Sequence, residues 1–452
     1  FSVITLAISI TSLIFSSSKY FALNQVSYYW LPQIGSSFAL NLDGMGRILC
    51  FLTAFAFPVI FISTYANKYK NPNVFYGLML LSQAGLIGVF CAMDALVFYF
   101  FWELAIIPVY FLASYWGGER RIQATFKFFV FTFAGSLLLL VGIIYVYLHT
   151  PDFSFSMNSF YNSRLSPGQQ NAMFWLFFLA FAIKMPVFPF HTWQPDTYEQ
   201  SPAPVTMVLS GIMVKMGVFG LIRWLLPILP LAVKHYDHFV IGLSVTGIVY
   251  ASLIAIVQDD LKRLVAYSSI AHMGLMCAAI FSNTESGLQG VMVQMFNHGI
   301  NIIGMWIVVD LIERRLGTRK ISQLGGLTQK APVLAVLLVI VALANIALPL
   351  TNSFVGEFLM FNGLFKFSGW YAAFAILSII LAAVYTLNMI QKVFYGETNA
   401  LTSNMREITV DEAIILSVIV VAIFLVGILP GPFFEMGNDT IVTVLNKLAG
   451  GK

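Results

Sequence analysis

Long, uninterrupted apolar runs are the feature of this sequence that most limits the folds open to it. Of the 452 residues, 59% are apolar and only 10% are Asp, Glu, Lys or Arg, whereas an ordinary soluble domain carries roughly 25% charged residues. A helix that crosses a bilayer needs about 20 mostly apolar residues, while barrel strands would show short alternating segments. The sequence therefore predicts an all-α polytopic membrane protein in contact with lipid. It excludes a soluble enzyme, a disordered chain and a nucleic-acid-binding domain.

We predict thirteen transmembrane helices. They lie near residues 1–18, 45–65, 74–92, 94–115, 126–148, 171–190, 204–226, 239–257, 263–281, 288–311, 333–366, 370–394 and 411–430. Most of the 24 Lys and Arg residues fall in loops on one side, which the positive-inside rule assigns to the cytoplasm or the mitochondrial matrix. The first apolar run starts at Phe1 without an initiator Met, so we expect that an earlier span is missing.

The sequence contains no recognisable site for a redox cofactor, a metal or a nucleotide. Cys50, Cys91 and Cys277 each lie in an apolar run, and none has CxxC spacing, which argues against iron–sulfur clusters, zinc sites and disulfides. We interpret all three as small buried side chains. Neither GxGxxG nor GxxxxGK[ST] occurs. We therefore expect any redox chemistry to reside in other polypeptides.

Four ionisable residues lie well inside the predicted spans, where a charge costs several kcal/mol and rarely persists without a use. They are Glu103, Lys184, Lys215 and Glu357. Pro186 and Pro189 follow Lys184, and Pro349 precedes Glu357, which predicts a broken helix beside each residue because proline cannot donate a backbone hydrogen bond. Broken helices recur at ion-handling sites in transporters. The plainer readings are a hydrogen bond to a neighbouring helix for Glu103 and snorkelling for Lys184.

Two histidines also lie well inside predicted spans. His298 is three residues before Asn301 and shares its helical face, and His272 lies in the preceding span. A buried histidine is often a satisfied structural group, but an ordinary pKa near 6.5 also suits histidine to pass protons. Both readings stay open from the residues alone.

One physical mechanism fits these residues. Burial favours the neutral amine of a lysine, whereas a nearby carboxylate favours its ammonium form. At a separation of 4 Å and an effective dielectric constant of 20, the attraction is about 4 kcal/mol. Opening or closing such a pair would therefore decide whether the lysine holds a proton. A row of such groups, bridged by water and histidine, could carry protons across a membrane under an external driving force.

Six segments closely resemble the antiporter-like subunits of respiratory complex I, the proton-pumping NADH:quinone oxidoreductase. In chain order they are FFWELAIIPVYFL, IKMPVFPFHTWQPD, SGIMVKMGVFGLIR, DDLKRLVAYSSIAHMG, QMFNHGIN and LPLTNSFVGEF. The resemblance runs from about residue 36 to the end. It implies fourteen helices, of which the first is missing here, arranged with two inverted five-helix repeats and two discontinuous helices. We accordingly divide the chain into N-terminal helices (1–73), a first repeat (74–230), a second repeat (231–400) and a C-terminal helix and tail (401–452).

The resemblance also implies roles in proton translocation for particular residues. Glu103 and Lys184 would form a charge-switching pair, Lys215 and His272 would link the two halves, and Glu357 would be the terminal proton site. His298 stands at a family histidine position. Lys127 also has a family counterpart, but its reading as an interfacial lysine is equally favoured.

Glutamate at position 357 favours the M-type branch, since L-type, N-type and Mrp-type relatives usually carry lysine there. The resemblance then implies a hetero-oligomer with L-type and N-type chains, driven by quinone reduction in other subunits that hold FMN and iron–sulfur clusters. PDTYEQ and LPLTNSF depart from the common PDAH and LPGTGNF, which leaves the loop details open. The alternatives are an Mrp-type cation/proton antiporter, a membrane-bound hydrogenase subunit and a scaffold without an ion path. We expect a bacterial plasma membrane rather than a mitochondrial inner membrane.

Overall fold

Helices account for nearly all regular structure in the computed structural model, which describes residues 1–14 and 25–450. The helices are α1 (Ser2–Ile14), α2 (Gly44–Ser63), α3 (Pro72–Cys91), α4 (Ala95–Trp116), α5 (Arg121–Tyr147), α6 (Met157–Tyr161), α7 (Pro167–Lys184), α8 (Trp193–Gln200), α9 (Ala203–Ile228), α10 (Pro230–Ile256), α11 (Leu261–Phe281), α12 (Glu285–Leu316), α13 (Pro332–Asn345), α14 (Asn352–Phe367), α15 (Gly369–Phe394), α16 (Val410–Ile428) and α17 (Gly431–Gly450). Two strands, β1 (Gln25–Leu31) and β2 (Ser36–Asn41), form an antiparallel hairpin. The sequence analysis did not predict this hairpin.

Ten helices of the described residues are long and apolar enough to cross a membrane, namely α2 to α5, α9 to α12, α15 and α16. This confirms a polytopic helical membrane protein, but it does not confirm the count of thirteen spans. Two of the predicted spans, 171–190 and 333–366, contain prolines that divide them into shorter helices. The predicted first span, 1–18, extends beyond the residues that the structure describes.

The first predicted break follows Lys184, where α7 ends. Because Pro186 has no N–H, the carbonyl of Ala182 accepts a hydrogen bond from the backbone N–H of Val187 instead, at 2.9 Å. The indole N–H of Trp193, the first residue of α8, donates to the carbonyl of Ile183 at 3.0 Å. Protein groups thus satisfy the backbone around this break, as an interruption at membrane depth requires.

The second predicted break separates α13, which ends at Asn345, from α14, which begins at Asn352. Ala347 and Leu350 have φ values of 57° and 75°, in the left-handed region that non-glycine residues seldom adopt. The chain therefore changes direction sharply here, seven to ten residues before Glu357. Both discontinuous helices expected from the sequence are present.

The centre of the protein is formed by α9, α11 and α12, which are buried along nearly their whole length. By contrast, α15 and α16 expose most of their surface, as expected for helices that face lipid. Two π-helical turns, Leu209–Met213 and Leu221–Leu225, interrupt α9 on either side of Lys215, and such turns are frequent at functional sites. The central helices carry Lys215, His272 and His298, so these side chains face protein.

The segment after residue 430, which we expected to be a tail, is the helix α17. It buries Phe433, Ile441 and Val444 on one face while Glu435, Asp439 and Lys447 lie among its polar positions. An amphipathic helix of this kind has too many polar residues to register as a span. A search for continuous apolar runs therefore cannot find it.

Candidate functional site

Lys215 and His298 form the centre of the candidate site. The Nζ atom of Lys215 lies 2.8 Å from Nδ1 of His298 and donates a hydrogen bond to the carbonyl of Ser210 at 3.0 Å. That carbonyl lies within the π turn Leu209–Met213, where helical hydrogen bonding is irregular and an acceptor can serve a side chain. Both side chains are at most 1% exposed. The pair therefore sits in a water-poor interior.

His298 connects this pair to a second titratable pair. Its Nε2 atom lies 3.2 Å from the Ser269 hydroxyl, and its ring centroid is 5.5 Å from that of His272. Nδ1 of His272 in turn lies 3.1 Å from Oε1 of Glu357. Lys215, His298, His272 and Glu357 thus follow one another in a row, which we call the buried row.

The buried row is not fully joined by direct contacts. Nε2 of His272 is buried and has no hydrogen-bond partner among the described residues. Buried polar atoms are normally satisfied, and a polar interior gap is the setting in which an ordered water bridges two groups. The rings of His272 and His298 lie edge to face with centroids 5.5 Å apart, and His272 lines a cavity with room for about one water.

Glu357 borders a small polar cavity. His272, Asn345 and Tyr385 also line it, and its volume is about 10 Å³, room for roughly one water molecule. Ser268 links two of the lining side chains, because its hydroxyl is 2.9 Å from the hydroxyl of Tyr385 and accepts from the side chain of Asn345 at 3.1 Å. The cavity places a proton acceptor and space for water together.

An amide network fixes α14 against α12 and so positions Glu357. The side-chain amide of Asn297 donates to the backbone carbonyl of Asn352 at 2.7 Å. Asn301 donates to Oδ1 of Asn352 at 3.0 Å and to the Ser353 hydroxyl at 2.8 Å. These contacts anchor the first turn of α14, one to two turns before the carboxylate. Asn301 therefore serves the helix break rather than His298, whose helical face it shares.

Glu103 and Lys184 are near each other but do not form an ion pair. Lys184 is 2% exposed, and its Nζ lies 5.8 Å from the ring centroid of Trp102 and 6.0 Å from that of Phe128. Oε1 of Glu103 and Nζ of Lys184 are both buried without a hydrogen-bond partner within the described part of the chain. Glu103 and Lys184 are thus neighbours in an open arrangement, without a direct contact.

Lys127 lies apart from the buried row, in an ion network at the loops rich in basic residues. Its Nζ is 2.8 Å from Asp196, and both side chains are 37% exposed. Asp196 also contacts Arg263 at 3.1 Å, and the network continues to the nearly buried Glu199. Lys127 is therefore a partly exposed member of an ion network.

Glu199 is the hub of that network. It accepts from Arg120, Arg263 and Arg319, each at 2.9 Å. Burial alone would lower the pKa of the Arg319 guanidinium, but its hydrogen bond to Asp260 and the neighbouring carboxylates outweigh this and raise that pKa above its ordinary value. Arg319 is therefore a permanent cation that helps hold the end of α8.

Glu199, Asp310 and His191 are among the buried ionisable groups that sequence reasoning missed. Asp310 is 6% exposed and pairs with Arg314 at 2.9 Å, at the base of a polar cavity of about 700 Å³ that Glu199 also lines. His191 is 2% exposed in the segment between α7 and α8. Asp310 could have been noticed as an acid inside the predicted span 288–311. Nothing in the local sequence marks Glu199 as a hub, since its partners are distant in the chain.

Within residues 1–14 and 25–450, no group of three or more His, Cys, Asp or Glu side chains is placed to hold a metal ion. The titratable groups described above meet in pairs and rows instead. Their arrangement suits the holding and passing of protons.

Comparison with known proteins identifies relatives across almost the whole chain. The family model for the NADH:quinone oxidoreductase/Mrp antiporter transmembrane region matches residues 92–382. NADH-quinone oxidoreductase subunit M of Rickettsia bellii is 38% identical over 93% of this chain and 85% of the relative. The protein of the same name from Escherichia coli K12 is 32% identical over 91% of this chain and 83% of the relative.

Solved structures also match almost the whole chain. A chain of respiratory complex I from Thermus thermophilus, determined with bound NADH, superposes with a TM-score of 0.88 at 29% identity, covering 99% of this chain and 95% of that one. Chains of the Mrp complex from Dietzia and of an archaeal membrane-bound sulfane sulfur reductase superpose with TM-scores of 0.84 and 0.85. At 18% and 24% identity, these two matches support only the assignment of the fold.

Proposed function

The chain belongs to the NADH:quinone oxidoreductase/Mrp antiporter transmembrane family, and from that premise we propose that it is the M-type, proton-translocating membrane subunit of an NADH:quinone oxidoreductase. Two relatives named subunit M, at 32% and 38% identity over more than nine-tenths of the chain, support this proposal. The solved complex I chain supports it independently.

The observation that carries the proposal is the buried row. Lys215 and His298 contact one another at 2.8 Å, and His272 and Glu357 do so at 3.1 Å. A proton on Lys215 can pass to the imidazole of His298 along their hydrogen bond, and a bridging water can relay it to His272 and then to Glu357. Histidine suits the middle positions because its ordinary pKa lies near neutrality.

Glu103 and Lys184 would act as the switch that feeds this row. In the open arrangement the burial of Lys184 favours its neutral amine, and approach of the Glu103 carboxylate would favour proton uptake. Since the chain supplies no driving reaction of its own, movement of this pair would be coupled to quinone reduction in other subunits. Those subunits would hold FMN and the iron–sulfur clusters.

The partners and surroundings follow from the same family membership. The match to a chain of a complex I assembly supports a hetero-oligomer in a membrane, and we propose L-type and N-type antiporter-like chains as neighbours. Because the matched relatives include bacterial proteins, we propose the bacterial plasma membrane as the location. We further propose that residues 74–230 and 231–400 are two inverted repeats, each containing one discontinuous helix.

Purification of the native assembly separates this proposal from its main alternative. If the chain is a complex I subunit, flavin and iron–sulfur proteins will copurify with it, and the preparation will oxidise NADH with quinone as acceptor. An Mrp-type antiporter would yield only membrane chains without flavin. A nickel–iron protein in the preparation would indicate a membrane-bound hydrogenase instead.

A further inference from the structure

Two of the three cysteines meet in the folded chain. Cys50 lies in α2 and Cys91 is the last residue of α3. Their Sγ atoms are 3.5 Å apart, although 41 positions separate the residues. Both cysteines are free thiols. The sequence analysis treated them as unrelated buried side chains, and the structure corrects that reading because the packing of α2 on α3 brings the sulfurs into contact.

We propose that Cys50 and Cys91 form a redox-active dithiol that peroxide oxidises to a disulfide joining α2 to α3. This goes beyond proton translocation and does not depend on it. The sulfurs lie 3.5 Å apart and must approach by about 1.5 Å to reach the length of an S–S bond, so the second thiol is already next to the site of reaction. Such proximity converts the closing step into an intramolecular one.

The surroundings assign different roles to the two thiols. Cys50 is 5% exposed, whereas Cys91 is partly exposed. Cys91 is therefore the thiol that an oxidant reaches first, and Cys50 is the resolving thiol. An accessible cysteine next to a resolving partner is the usual arrangement of a reversible redox site.

The position of the pair in the fold also suits oxidation. Ala92, directly after Cys91, pairs with Leu40 of the β hairpin, so the thiols lie at the end of the helices beside that hairpin. The opposite ends of α2 and α3 adjoin Lys68 and Lys70, which the positive-inside rule places in the cytoplasm. The pair then lies toward the outer side, where disulfides form and persist.

The chemistry balances with hydrogen peroxide as the oxidant. The Cys91 thiolate attacks one peroxide oxygen, the O–O bond breaks, and a sulfenic acid and hydroxide form. Sγ of Cys50 then attacks the sulfenic sulfur, the S–S bond forms and the S–O bond breaks. The Cys50 proton leaves with the departing oxygen as water, and the hydroxide from the first step takes up the proton that the Cys91 thiol released on ionising, so that two thiols and one peroxide yield one disulfide and two waters. A small-molecule thiol reverses the reaction.

Cys277 provides a matched control within the same chain. It is fully buried in α11 and is a free thiol. Intact complex in membranes would be treated with hydrogen peroxide, denatured and alkylated with N-ethylmaleimide. After reduction, a second, isotopically distinct alkylating reagent would mark the thiols that had been oxidised, and mass spectrometry would read each cysteine.

We expect Cys50 and Cys91 to take the second label together and in equal amounts, while Cys277 takes only the first. Cys91→Ser should leave Cys50 reduced, and Cys277→Ser should leave the pair unaffected. The proposal is overturned if Cys50 and Cys91 stay free under conditions that fully oxidise added glutathione, or if Cys91 is over-oxidised while Cys50 remains a thiol. Should a serine variant fail to assemble, the labelling of the unmodified chain decides alone.

Discussion

The side chains of Lys215 and His298 are in direct contact, with 2.8 Å between Nζ and Nδ1, although the residues are 83 positions apart and lie on different helices. Two cations in contact would be very costly in this interior. At least one of the two partners is therefore neutral, and a proton taken up by the pair can be held on either side of the contact. This is the state from which a proton can move.

Lys215→Met and His298→Leu should each lower NADH-driven proton pumping about tenfold or more, since relay groups commonly contribute factors of that size or larger. Because the two residues act as one unit, the double variant should cost little more than the worse single variant. Acidification of closed vesicles by the assembled complex provides the measurement. Fully additive losses would show that the contact has no role in transfer.

His272→Gln tests the middle of the buried row. Glutamine keeps hydrogen-bonding groups toward Glu357, whose carboxylate lies 3.1 Å from the imidazole, but glutamine does not titrate. We expect assembly to be unaffected and pumping to fall about tenfold or more. Native gel analysis checks assembly, and vesicle acidification checks pumping. Pumping at the unmodified rate would mean that protons bypass position 272.

Lys127→Met and Lys184→Met form a matched pair of substitutions. Lys127 is more than one-third exposed and belongs to the loop-side ion network, where an ion pair contributes about 1 kcal/mol or less. Its replacement should leave pumping within about twofold of normal. Lys184→Met should nearly abolish pumping because the switch loses its titratable group. Equal losses in the two variants would place Lys127 on the proton path.

Arg223→Met should destabilise the subunit. Arg223 is 4% exposed and lies 2.5 Å from Asp43. The side chain of Asp43 also caps the start of α2. Removing one partner of a buried ion pair costs about 3–5 kcal/mol, because the other charge remains unpaired. Adding Asp43→Asn, which keeps a capping side chain, should recover part of this loss. Thermal inactivation in detergent measures the stability of the single and the double variant. A double variant less stable than Arg223→Met would contradict the explanation.

The local sequence predicted a structural feature correctly where a single residue type determines that feature. The breaks after Lys184 and Asn345 follow from prolines that cannot donate hydrogen bonds, and the placement of Lys215 follows from the cost of charge in an apolar span. The contact of His272 with Glu357 has no such signal, because it depends on how α11 packs against α14. The Cys50–Cys91 contact was missed for the same reason.

Amphipathic and strand segments were the other omissions. A search for apolar runs passes over α17 and the β1–β2 hairpin, since neither contains a long run. Ion networks such as that of Glu199 are formed by loops distant in the sequence. These features depend on tertiary structure, whereas the buried charges that mark the candidate site can be read from the sequence.

Proton translocation per NADH oxidised, measured in closed vesicles with Glu103→Ala, Lys184→Ala and Glu357→Ala variants of the assembled complex, is the most direct test of the central claim. We predict that each variant assembles, yet loses most of its coupled turnover and pumping, because each removes a group that must take up and release the proton. Full pumping by all three variants would show that protons do not travel through these buried side chains.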